Sequence, residues 1–410
     1  MLANIIELFK GMNDPERKGG AISTFLLSRL MNLQFGALIP MYAILFYSVG
    51  VIESAARHLS LGGEFYAERQ VQWIWLGSGA MLVMILTPMR FIKWLAIPGY
   101  VTALALSVAS LFVGNEVHQL SFGGISFQPA QMAIATGIMT LSLILEWMDK
   151  PREGFMRVLQ HPIMKLFAAG AVVAIPFMLV VVIGDMGSAM VWIPMALFVL
   201  LNAKIPFRYI TLISFVGLAL LPVMYYSILP KVSSRGTERI SVYLDLLQGK
   251  EVDIQNEGYA AHRVGLVVGK AGWRGVGQAA EVEDGSLHAR GYVPMNTAHN
   301  DYIFAVFAEE NGFRGVIILL FAYLILLMSL LFIAMFVAQG FGRLVVIGFI
   351  SVLLAHIFEN IGMCVGLMPI TGIPLPFMSY SGTFTVICMA MIGICQSIWL
   401  DRFHWEEDEE

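Results

Sequence analysis

Charge is what this sequence has least of: Lys, Arg, Asp and Glu make up 13% of its 410 residues, against 58% that are hydrophobic. Soluble domains of ordinary usage carry about 25% charged residues, so a soluble globular enzyme is excluded. Cysteine is nearly absent as well. Cys364, Cys388 and Cys395 all fall in the last two apolar stretches, where they read as small packing residues rather than as a disulfide or metal set. No fixed-period repeat and no low-complexity linker occurs, and nothing points to a nucleic-acid partner. Residues 1–20 lack the basic start, apolar core and small-residue cleavage site of a secretory signal. Gly269-Lys-Ala-Gly-Trp-Arg-Gly-Val-Gly277 lacks the Gly-Lys-Ser/Thr ending and the preceding strand of a nucleotide phosphate loop.

What is present is apolar length. Mean hydropathy is +0.75, and about 20 mostly apolar residues suffice to cross a bilayer. About ten such stretches are predicted, near 33–52, 71–86, 92–113, 132–147, 164–183, 188–201, 210–229, 316–335, 344–365 and 384–400. The fold class is therefore an all-α polytopic membrane protein. Lys10, Arg17, Lys18, Arg29, Arg90, Lys93, Lys150, Arg152, Arg157, Lys165, Lys204, Arg208, Arg343 and Arg402 fall in alternate connections, which the positive-inside bias makes cytoplasmic. Both termini are then inside, and one large extracytoplasmic loop, about 230–314, lies between spans seven and eight. The expected organisation is a cytoplasmic segment at 1–32 with a short interfacial helix, one membrane domain at 33–400, and an acidic cytoplasmic tail at 401–410.

One segment cannot be helical. Gly366 to Thr383 places Pro369, Pro374 and Pro376 and a Ser379-Tyr-Ser-Gly382 turn between two spans. Non-helical backbone at membrane depth must be buried in protein or line a wet cavity, so this segment is a candidate site wall, with Pro374, Pro376, Ser379 and Tyr380 as candidate substrate contacts.

Chemistry-bearing residues are few. Asp301 stands beside His299 at the start of an apolar-periodic stretch, predicted as a short amphipathic interfacial helix that ends or bends at Gly312. Glu309 and Glu310 follow about two turns on, making one acidic face. Asp301 is the first candidate for a general base; a first-turn Asp that merely satisfies free N–H groups is the structural alternative. Arg235, Arg239, Arg263, Lys270, Arg274 and Arg290 gather in the same loop, either to balance an anionic lipid or diphosphate or simply to solvate the loop. Within the spans, Asp185, His356, Glu359 and Asn360 are the exceptions. The last three share one helix face, either pairing with one another or lining a proton path or cavity. No closed metal set is signalled; one exposed carboxylate could help hold Mg²⁺ through a substrate diphosphate.

Several motifs together resemble the SEDS family (shape, elongation, division and sporulation). They are His299-Asn-Asp-Tyr-Ile-Phe-Ala-Val-Phe-Ala-Glu-Glu-Asn-Gly312, Asn360-Ile-Gly-Met363, the Gly366 to Tyr380 segment, Gln128-Pro129, Arg239-Ile240, Arg69-Gln70, and Tyr259 with the glycine run to Gly277. Ile370-Thr-Gly-Ile-Pro374 and Ala308-Glu-Glu310 are nearer the RodA (elongation) branch than the FtsW (division) branch. The resemblance implies a peptidoglycan glycosyltransferase that polymerises lipid II at the outer face of the cytoplasmic membrane. It implies an undecaprenyl-linked glycan as the growing strand, and a class B penicillin-binding protein as partner in an elongation or division complex. It places the family's catalytic Asp at Asp301, which makes His299, Arg239, Arg263, Lys270, Arg274, Glu309, Glu310 and Asp185 candidate substrate-binding residues.

The chain departs from the family pattern in several places. Gln-Pro-Ser-Glu with a following Lys becomes Gln128-Pro-Ala-Gln131 with Ile134, Gln-Pro-Asp-Leu-Gly becomes Ile183-Gly-Asp-Met-Gly187, and Gly-x-x-Arg-Trp is missing at 114–119. Leu-Pro-Glu becomes Pro294-Met-Asn-Thr297, and Ser-Tyr-Gly-Gly-Ser becomes Ser379-Tyr-Ser-Gly-Thr383. A lipid II flippase or other transporter, and a non-catalytic scaffold for a penicillin-binding protein, are the competing expectations.

Overall fold

The computed structural model describes residues 29–113, 120–122, 125–151, 153–232, 234–248, 257–278, 281–282, 285–338 and 340–402. The predicted interfacial helix at the N-terminus, the acidic tail and the altered 114–119 segment lie outside these residues. Helices carry the architecture because apolar stretches of this length have no other way to satisfy their backbone in a bilayer. Seven of them come first: α1 (Phe35–Ala55), α2 (Gly62–Leu86), α3 (Met89–Val113), α4 (Pro129–Asp149), α5 (Pro162–Ile183), α6 (Met186–Asn202) and α7 (Phe207–Val223). A π-helical turn at Met224–Ile228 and the short α8 (Leu229–Val232) lead into the loop helices α9 (Ser234–Leu247) and α10 (Glu257–Lys270). Three long helices close the chain: α11 (Ile303–Phe336), α12 (Gly340–Cys364) and α13 (Gly382–Leu400).

Eight of these are long and apolar enough to cross a membrane. Each of the ten predicted spans falls on a helix; α2, whose first turns are polar, and the shorter α6 complete the set. Helix α12 is central, with 83% of its apolar window enclosed, and α7 is peripheral, with 7%. Ion pairs gather at the end of the bundle opposite the loop: Lys93 with Glu146 at 2.8 Å, Lys165 with Asp149, and Arg29 with Asp401. One element was not expected, an antiparallel hairpin of β1 (Leu120–Phe122) and β2 (Ile125–Phe127) between α3 and α4.

The stretch read as an interfacial amphipathic helix is different in the structure. Asp301 lies in a turn, with its amide donating to the Thr297 carbonyl at 2.9 Å, and the helix begins at Ile303. Residues 303–310 are all buried, Glu309 and Glu310 included, so neither face of this stretch meets the interface. The chain bends at Gly312 (φ 67°, ψ −172°) and continues as one long helix. The apolar spacing that suggested one wet face is instead enclosed by protein on every side.

The glycine-rich run explains the bend. Val276 and Gly277 amides donate to the Glu309 and Glu310 carbonyls, both at 2.9 Å, while Phe313 and Arg314 amides donate to the Gly272 and Trp273 carbonyls at 2.8 and 3.2 Å. These four bonds clasp the kink from both sides. Gly275 has φ +72°, and a Cβ there would stand 2.3 Å from the Glu310 carbonyl oxygen. Gly275→Ala therefore combines left-handed strain with a clash against rigid backbone, at a cost of about 2–5 kcal/mol. The expected result is a lowered thermal midpoint in detergent, while Gly269→Ala, which meets open space, leaves the midpoint unchanged.

Candidate functional site

The broken segment between α12 and α13 is where polar side chains from three helices, α9, α11 and α12, converge on backbone. His356 Nδ1 lies 3.1 Å from the Pro374 carbonyl, and Asn360 Nδ2 donates to the Ile373 carbonyl at 2.7 Å. The Tyr323 hydroxyl donates to the Pro376 carbonyl at 2.6 Å, the Tyr243 hydroxyl to the Leu367 carbonyl at 2.7 Å, and Arg239 reaches the Thr371 carbonyl at 3.5 Å. Ser379 Oγ accepts from the Leu375 amide at 2.8 Å and donates to the Asn300 carbonyl at 2.6 Å. These bonds satisfy carbonyls that neither lipid nor a helix ladder can. His356 and Asn360, which the sequence left between mutual pairing and cavity lining, serve this segment.

The same residues set the position of Asp301. Asn360 Nδ2 also donates to the Asp301 carbonyl at 2.8 Å, and the Tyr380 amide donates to the His299 carbonyl at 2.9 Å. Gly372, at φ +74°, allows close approach: a Cβ there would stand 3.5 Å from Asp301 Oδ2 and 3.7 Å from an Arg239 guanidinium nitrogen. Asp301 Oδ1 is buried and has no hydrogen-bond partner. Burial pushes the Asp301 carboxyl up to about 7; the Arg239 charge opposes this and the Asp185 charge adds to it. A carboxylate poised near neutrality is what a general base requires.

Asp185 caps α6, which follows the left-handed Gly184. Its Oδ1 accepts the Ser188 amide at 3.0 Å, and its Oδ2 accepts Gln128 Nε2 at 2.6 Å. The adjacent Gly187 packs directly on Thr371 and Ile373. Asp185, Arg239 and Asp301 thus surround residues 371–373, two carboxylates about one guanidinium.

The other acidic and basic candidates are placed elsewhere. The Glu309 carboxylate accepts the His288 amide at 3.0 Å, the Ser286 hydroxyl at 3.4 Å, and the Leu287 amide, so it anchors a loop turn. Glu309 and Glu310 line a small cavity of about 10 Å³ together with Arg57, His58 and His288. Arg263 stacks over the Tyr292 ring at 4.1 Å, Arg290 reaches the Val282 carbonyl at 3.3 Å, and Lys270 and Arg274 are exposed. Among the described residues no three of His, Cys, Asp or Glu form a group able to hold a metal. Sequence reading missed Tyr243 and Tyr323. The signal for Tyr323 was there, a hydroxyl in an otherwise apolar span that must find a partner.

The family model FTSW_RODA_SPOVE, described as a cell cycle protein, matches residues 28–402. The chain is 30% identical over 370 residues to the peptidoglycan glycosyltransferase MrdB of Escherichia coli K12, covering 89% of this chain and 93% of that protein. It is 28% identical over 363 residues to a probable peptidoglycan glycosyltransferase FtsW of Taylorella equigenitalis, covering 86% and 92%. Among solved structures, a chain of a peptidoglycan synthase complex that coordinates polymerization and crosslinking superposes with a TM-score of 0.72 at 24% identity, covering 90% of this chain and 98% of that one. The rod shape determining protein RodA of Thermus thermophilus superposes with a TM-score of 0.63 at 22% identity over the same shares.

Proposed function

This chain belongs to the FtsW/RodA/SpoVE (SEDS) family of cell cycle proteins, and from that membership we propose that it is a peptidoglycan glycosyltransferase polymerising lipid II at the outer face of the cytoplasmic membrane, in cell elongation. The observation that carries the reading is the poised carboxylate: Asp301, raised to about 7 by burial with Arg239 beside it, in a turn held by Asn360 and Ser379. The 4-hydroxyl of an acceptor lipid II attacks the anomeric carbon of a lipid-linked donor strand with inversion. Asp301 takes the hydroxyl proton, the C–O bond to the diphosphate breaks, and undecaprenyl diphosphate leaves with the electron pair. Arg239 balances the leaving diphosphate. Both Asp185 oxygens are engaged by Ser188 and Gln128, so the protein offers no closed cation cage here. A divalent cation would ride on the substrate diphosphate.

Both termini are assigned to the cytoplasm, with 230–314 outside, on the distribution of Lys and Arg. A class B penicillin-binding protein is the expected partner, by analogy with the synthase complex that the fold resembles. One observation favours transport instead: Glu359 is buried inside α12 with Oε2 unpartnered, the kind of intramembrane group that transport pathways use. Purified protein given lipid II in detergent separates the two, because translocation has no meaning there. Glycan strands are the expected product, and a folded chain that makes none rejects the polymerase reading.

Arg239 sharpens the assignment. Removing its charge leaves burial and Asp185 to hold the proton on Asp301. Arg239→Gln is expected to move the acid limb of the pH–rate profile to higher pH and to lower the rate at pH 7 by about tenfold or more, since one pKa unit is a tenfold change in ionised fraction below the pKa. A limb unmoved by the substitution would separate Arg239 from the base.

A further inference from the structure

Beside Asp301 stands a group of aromatic rings that the proton transfer does not use. Tyr66, from the first turns of α2, lies 4.8 Å from the His299 ring and 5.2 Å from the Tyr380 ring, and the last two are 5.5 Å apart, all between centroids. Interplanar angles of 52°, 82° and 47° make the three rings a tilted and edge-to-face cluster, fixed by mutual packing. Tyr66 and Tyr380 are half-buried, and His299 is buried with Nδ1 unpartnered. Tyr380 is fixed from behind by a hydrogen bond with Trp73, whose indole packs so closely on Gly382 that a Cβ there would come within 2.0 Å of it. Arg69, one turn along α2, lies over Phe65 at 5.4 Å and acts electrostatically on the Tyr380 hydroxyl.

We propose that Tyr66, His299 and Tyr380 form the subsite for the acceptor's hexosamine ring, with Tyr66 determining its affinity. This rests on the reading of Asp301 as the base. The axial C–H bonds of a pyranose are polarised positive and pack on the negative faces of aromatic rings. A fixed cluster of three rings recognises that face without needing a charge. Burial pushes the His299 imidazole down to about 4, so at neutral pH it is uncharged and offers one donor and one acceptor to a hydroxyl or acetamido group. Position selects acceptor over donor. His299 stands two positions before Asp301, at most about 7 Å between Cα atoms, so a sugar seated on His299 lies within one ring's length of the carboxylate. Arg69 stands where an anionic substituent of the sugar would find a cation.

The test titrates soluble N-acetylglucosaminyl-N-acetylmuramic acid disaccharide into the purified full chain in detergent by ligand-observed NMR, alongside lipid II polymerisation. Tyr66→Ala and Tyr66→Leu are expected to weaken disaccharide binding about tenfold and to raise the half-saturating lipid II concentration by a similar factor, with a smaller fall in maximal rate. Tyr66→Phe, which restores the ring without the hydroxyl, is expected to restore binding. Disaccharide affinity within twofold of wild type in both ring-deleted variants overturns the proposal. So does lost binding accompanied by a lowered thermal midpoint in both, because the ring would then be packing rather than recognition. Asp301→Asn keeps the two readings apart: it is expected to bind the disaccharide while failing to polymerise, and polymerisation by that variant removes the base whatever the titration gives.

Discussion

Asp301→Asn is expected to abolish lipid II polymerisation, with a loss of about 10²–10⁴-fold, the usual contribution of a positioned general base. The amide preserves the size of the side chain and the backbone bonds to Thr297 and Asn360, so expression and membrane insertion should be unchanged. In the wild type, a carboxyl pushed up to about 7 is mostly protonated at pH 6 and mostly ionised at pH 8. The rate should climb about tenfold per pH unit below 7 and level off above it. Stability should run the other way. A carboxyl whose proton is held more tightly in the folded state than in the unfolded chain adds stability at low pH and loses it as pH rises toward 7. Asp301→Asn should therefore melt above the wild type at pH 8, and the two curves should converge as the pH falls to the ordinary carboxylate range. Polymerisation within a few-fold of wild type in the variant would end the assignment.

Asn360→Leu is expected to damage folding and activity together. One amide nitrogen serves two buried carbonyls, those of Asp301 and Ile373, and an unsatisfied buried polar group costs about 1–3 kcal/mol. The loss is then about 2–6 kcal/mol if the segment does not relax. If it does relax, the Asp301 turn and residues 371–373 part company and the base loses its position. The readout is a lowered thermal midpoint in detergent together with a polymerisation loss greater than tenfold. A variant with wild-type midpoint and rate would show that the shared amide holds neither segment.

Helix positions were readable because the bilayer leaves apolar sequence little choice. Proline and glycine content alone marked 366–383 as broken, and the structure buries most of 370–379, as that argument requires, while Gly366 and Leu367 at its start are exposed. What the sequence could not deliver was pairing across long separations. Arg239 and Thr371 are 132 residues apart, and Gln128 and Asp185 are 57 apart; no local pattern links them. Glu309 shows the other limit. An acidic residue beside a candidate base looks like part of the same chemistry, yet its oxygens face the Ser286 to His288 turn, whose free amides no periodicity announced. Gly275 stood in a legible glycine-rich run, but its pairing with the bend at Gly312 joins segments that no local pattern links.

That clasp sets how motion in the lipid reaches the enzyme. Its bonds lie on both sides of Gly312, so the elbow between the 303–311 stretch and the 313–336 shaft is splinted rather than hinged. A shaft that leans to match a thinner or thicker bilayer must carry the whole splinted joint with it as one piece. Strain arriving from the membrane is spread over the glycine strap before it can twist the short arm on which residue 301 is mounted.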